Sequence, residues 1–200
     1  FGIRYTLADL VGTGFKLDYM YFPKHGTGDA TADQGMSGGG EANKDSHDIT
    51  LTGSVPGVEG LSVGLGVAVL DYELPAPQTS EQSEGTVYLK YAAGPISLGA
   101  QLGRVSKSGL GTETYTNQYY GISYAVSDDL SISYNMIESK KNLHDGSYDG
   151  GGNEQSLDSI SLSYSMGGMT IGIADADCGN CSYSSGRKQD ETSVSMSIAF

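Results

Sequence analysis

Every second residue is apolar in about eleven short segments of this chain, and the connections between the segments alternate short, long, short, long throughout. Period-two alternation belongs to an extended strand, whose successive side chains point to opposite faces. The clearest case sets Leu61, Val63, Leu65, Val67 and Val69 against Ser62, Gly64, Gly66 and Ala68. The final stretch, Thr192 to Phe200, sets Val194, Met196, Ile198 and Phe200 against Ser193, Ser195, Ser197 and Ala199. The short connections centre on Gly12, Gly57, Gly94, Asp128 and Gly167. The long ones run over about 24–46, 75–84, 106–114, 140–155 and the stretch holding Cys178 and Cys181. Hairpins with all their long loops at one end predict an all-β, antiparallel up-and-down arrangement rather than a Greek key.

Alternation alone leaves open which face is inside. In a soluble sandwich the apolar face is the core and the other face meets water. Here the polar face is mostly Ser, Gly, Thr and Ala, where a water-exposed sheet usually carries many more charges. That pattern predicts a transmembrane β-barrel whose apolar face meets lipid. A mean hydropathy of −0.27 does not oppose this, because barrel strands dilute their apolar residues one in two. The longest run of apolar residues and glycines, Leu61 to Leu70, is about half of the roughly 20 residues a spanning helix needs.

The formal charge is −13, from 11 basic against 24 acidic residues, which argues against nucleic acid as a partner. No basic stretch followed by an apolar one opens the chain, so any signal peptide has been removed or the chain begins inside a longer one. Phe1 opens directly in strand-like sequence, which favours the second. The expectation is a single barrel domain over 1–200 that lacks its N-terminal strands.

Arg4-Tyr5-Thr6-Leu7 and Gly14-Phe15-Lys16-Leu17-Asp18-Tyr19 resemble the strand–turn–strand that follows the constriction loop in Gram-negative outer-membrane general porins. Ser193 to Phe200 resembles the terminal aromatic strand that the barrel-assembly machinery reads in that family. The resemblance implies a trimeric barrel of sixteen strands, of which this chain would supply strands six to sixteen. It also implies a place in the outer membrane, with lipid and lipopolysaccharide as surroundings, and Phe200, Ile198 and Met196 as the assembly signal. The constriction loop would lie upstream of Phe1.

If the polar face is the lumen, Arg4, Lys16, Asp18, Asp48 and Lys90 line the pore, where fixed charges bias ion passage. Arg4 is the leading candidate, because it matches the basic wall position facing the constriction loop in the resembled family. Solvated wall charges with little influence are the plainer reading of each. Arg104 has lipid-side parity and is expected at the outer rim, or on a bulge that shifts its register.

Cys178 and Cys181 have redox-motif spacing but no helix N-terminus to activate a thiol, and a structural zinc would need two more ligands. A small loop disulfide suits them better. Acidic loop residues, Asp145 and Asp149 among them, are weak candidates for calcium; no other cofactor is expected. His25, His47 and His144 sit in no catalytic or metal-binding spacing, and no phosphate-binding loop is present. The expected function is non-enzymatic: passive diffusion of ions and small hydrophilic solutes through a water-filled channel. The rivals are a barrel serving adhesion or surface recognition, and a soluble β-sandwich binding module.

Overall fold

The computed structural model describes residues 2–23, 42–73, 79–107, 113–143 and 154–198. Its strands are β1 (Ile3–Leu7), β2 (Phe15–Phe22), β3 (Ala42–Ser54), β4 (Leu61–Glu73), β5 (Thr79–Ala93), β6 (Ile96–Lys107), β7 (Glu113–Ala125), β8 (Leu130–Leu143), β9 (Glu154–Met166), β10 (Met169–Gly179) and β11 (Lys188–Ile198). They form one antiparallel sheet of eleven strands in sequence order. The tightest turns use glycine where the chain needs positive φ. Gly167 and Gly168 (58° and 85°) join β9 to β10, and Gly94 (56°) with Pro95 joins β5 to β6.

The register keeps one face apolar across the whole sheet. One rung runs Leu51, Leu65, Val87, Leu102, and another runs Ile122, Tyr134, Ile160. On β11, Ile198, Met196 and Val194 stand opposite Met169, Ile171 and Ile173. Most of these side chains remain exposed, Leu65 keeping 46% of its surface, and Leu51, Met169 and Ile171 are half-buried. Among the described residues only Leu70 and Cys181 are buried hydrophobics, so the sheet has no apolar core. This rules out the sandwich, which needs a second layer on the apolar face. From Leu61 to Val69 the apolar stripe is about 26 Å long, or about 20 Å of height at a tilt near 40°. That is comparable to the ~25 Å apolar band of membrane barrels.

The strands are longer than the alternation suggests, always at the end away from the tight turns. β5 begins at Thr79, β3 at Ala42 and β11 at Lys188, while β8 runs to Leu143 and Cys178 lies inside β10. Only 74–78 separate β4 from β5, and 108–112 separate β6 from β7. Much of what reads as long loop is therefore strand standing above the apolar band. Its ladder hydrogen bonds persist there, while nothing requires aliphatic side chains.

Candidate pore-lining face

The opposite face carries every ionisable residue expected in a lumen, and it divides them into separate groups. Asp18 is registered with Thr6 on β1 and Thr50 on β3, and its side neighbours on the strands place three donors around it. Arg4 donates from Nε (3.1 Å) and Nη2 (2.9 Å), Thr6 Oγ1 donates at 2.5 Å, and Lys16 Nζ lies 2.7 Å from the other carboxylate oxygen. Asp18 is 5% exposed, while Arg4 and Lys16 remain half open. Arg4 is thus no isolated wall charge: it shares Asp18 with Lys16, and the group carries a net charge of one.

Asp48 and Lys90 lie away from that group. Asp48 shares a rung with Ala68 and Glu84, and one of its oxygens is shut off from solvent without a hydrogen-bond partner among the described residues. Glu84 was missed in the sequence because the apolar partner stripe of β5 ends at Val87. Gly85 and Ser83 follow on that face, so the segment looks like loop. Lys90 stands between Ser62 and Gly99 and makes no ion pair with any described residue.

Arg104 stays on the apolar side. The ladder through Gly85, Arg104 and Thr116 is unbroken, so no bulge turns it inward. Its rung continues to Lys140 and Glu154, an ion pair at 2.7 Å, and marks where the outer face becomes polar. Such a position lets a long cationic side chain reach headgroups.

Cys178 and Cys181 are joined by a disulfide at the β10–β11 connection. The short 3-10 turn Cys181–Tyr183 folds over the polar face. Tyr183 Oη lies 2.6 Å from Ser139 Oγ, its ring packs 5.8 Å from that of Tyr115, and Ser182 N donates to Gln155 Oε1 at 3.1 Å. Ser139, 4% exposed, also donates to Asn117. Tyr115, Ser139 and Gln155 all belong to the polar face, so the disulfide-closed turn covers the wall near its non-turn end.

Met196 and Ile198 lie on the apolar face of β11. Phe200, and the calcium candidates Asp145 and Asp149, fall outside the described residues.

No family profile matches the chain, and no curated protein matches it. Solved structures do. An anion-selective porin from Comamonas acidovorans superposes with a TM-score of 0.76 at 14% identity, over 100% of this chain and 59% of that one. OmpT, an outer membrane protein of Vibrio cholerae, gives 0.65 at 10% identity over 98% and 60%. The NanC porin gives 0.55 at 11% identity over 100% and 97%. The fold is that of an outer-membrane porin-like β-barrel. The chain spans about three-fifths of the length of the first two.

Proposed function

We propose that this chain forms wall of a water-filled channel in the outer membrane of a Gram-negative bacterium, passing ions and small hydrophilic solutes by diffusion. The observation that carries this reading is the continuous polar face. It holds Ser, Gly or Thr on every strand from β3 to β11, with charges concentrated on β1 to β5, and it backs a face whose described aliphatic residues are exposed or half-exposed. Lipid covers the aliphatic face, and water is the remaining medium for the other. Sieving by bore and bias from wall charges then set what passes.

The larger barrel supports the reading better than the smaller one does. The sheet superposes more closely on part of the Comamonas porin than on nearly all of the NanC porin. β1 and β11 run in the same direction, so an antiparallel closure takes an odd number of further strands. A sixteen-stranded homotrimer satisfies that parity.

Reconstitution in a planar bilayer tests the proposal. We expect discrete, ohmic current steps whose size scales with bulk salt conductivity. Protein that inserts without ohmic steps would overturn it, and would favour a role in surface recognition.

A further inference from the structure

Two successive rungs of the polar face, spanning β5 to β8, shape a hollow of about 760 Å³. One rung runs Lys90, Gly99, Gly121, Asn135; the next runs Tyr88, Gln101, Tyr119, Ile137. Of the adjacent glycines, Gly99 leaves the floor bare, while the Asn135 side chain lies over Gly121. A Cβ on Gly99 would meet nothing within 4 Å, whereas one on Gly121 would lie 2.9 Å from Asn135 Oδ1. The Tyr88 ring leans the other way, into the space above Gly64, and so keeps the hollow open.

The lining is chemically selective. Among the described residues Lys90 is its one charge and no carboxylate lines it, in a chain of formal charge −13. Arg4 and Lys16 are tied to Asp18, but Lys90 pairs with no described residue. The carboxylates Asp48 and Glu84 line an adjoining hollow, which shares Gln101 and Tyr119 with this one but not Lys90. Gln101 Nε2 donates to Thr86 Oγ1 at 3.1 Å, which leaves its carbonyl oxygen as an acceptor. Asn135 adds a second amide about 14 Å across the wall from Lys90, three strand spacings away. Tyr119 adds a partly exposed ring.

We propose that this hollow is a saturable binding site for a small hydroxylated carboxylate of the sugar-acid class, held as it crosses the channel. The ammonium of Lys90 takes the carboxylate, the two amides exchange hydrogen bonds with hydroxyls, and the Tyr119 ring meets the apolar face of the sugar ring. The transport role rests on the channel reading above; the binding site itself does not.

Glucuronate is the probe, with glucose and acetate as controls for charge and hydroxyls. Binding to the detergent-folded protein is measured by equilibrium dialysis, and channel block by single-channel recording. Glucuronate is expected to bind saturably, with both controls at least about tenfold weaker. Lys90→Gln weakens glucuronate at least about tenfold. Gly99→Leu, whose side chain enters open space, abolishes its binding while the β-sheet circular dichroism stays unchanged. No saturable binding, equal binding of glucose, or binding that survives both substitutions would each overturn the site. Conductance without glucuronate binding overturns the site and leaves the channel; binding without conductance leaves the site and overturns the channel.

Discussion

Asp18 sets the electrostatics of the β1–β3 wall, because one carboxylate accepts from Arg4, Thr6 and Lys16. Neutralising it frees two cations that then repel each other. Asp18→Asn should therefore move the reversal potential under a salt gradient toward anion preference and lower the thermal midpoint in detergent. Arg4→Ala should move the reversal potential the other way, toward cations, since the group loses its net positive charge. Both shifts should shrink at high salt, as screening shortens to about 3 Å at 1 M. Equal potentials for the two variants would make the group a bystander. At the same scale, Arg4 and Lys90 look alike in the sequence, each a base on a polar face. Only the cross-strand pairing separates a compensated cation from one that has no ion-pair partner among the described residues.

At the scale of the strand, the apolar stripe and the disulfide-closed turn make different demands. Leu65 sits mid-stripe on β4, between Leu51 and Val87. Leu65→Arg should destabilise the folded barrel by about 2–4 kcal/mol, the usual effect of a midplane arginine facing lipid. Urea titration of the protein in vesicles measures this; a change below about 1 kcal/mol would place that face away from the bilayer centre. The β10–β11 turn holds Tyr183 against Ser139 and Tyr115 over the wall. Removing the bridge with Cys178→Ser and Cys181→Ser loosens that cover. Larger neutral polymers should then enter the channel, read as a higher exclusion limit in polymer-partitioning recordings; an unchanged limit would show that the turn does not narrow the passage.

The described residues form no apolar interior. Two buried hydrophobics among the described residues cannot hold a soluble fold, since a domain's stability comes mainly from apolar area removed from water. The aliphatic face must be covered by lipid or detergent. The protein is thus expected to show β-sheet circular dichroism in micelles and to aggregate when detergent is diluted below its critical concentration. A monodisperse, folded species without amphiphile, seen by light scattering, would contradict the membrane assignment. The edges matter at this scale too, because lipid leaves no partner for an unpaired strand edge.

The amino-acid order determined the strand number, the tight turns and the face of nearly every residue in the apolar band. Those features are local: period two, glycine at positive φ, and aliphatics wherever lipid must be met. Local pattern went no further. Above the band, at Thr79–Gly85 and Lys188–Glu191, strands continue with no apolar partner stripe to announce them, so Glu84 was hidden in apparent loop. The grouping of charges was equally out of reach, because it depends on which strand lies beside which and in what register. Neighbouring strands drew Arg4 and Lys16 to Asp18, left Lys90 beside bare glycine with no ion-pair partner among the described residues, and brought Tyr183 across to Ser139. Pairing between strands is a long-range property, and it turned a generic polar face into a wall with distinct electrostatic sites.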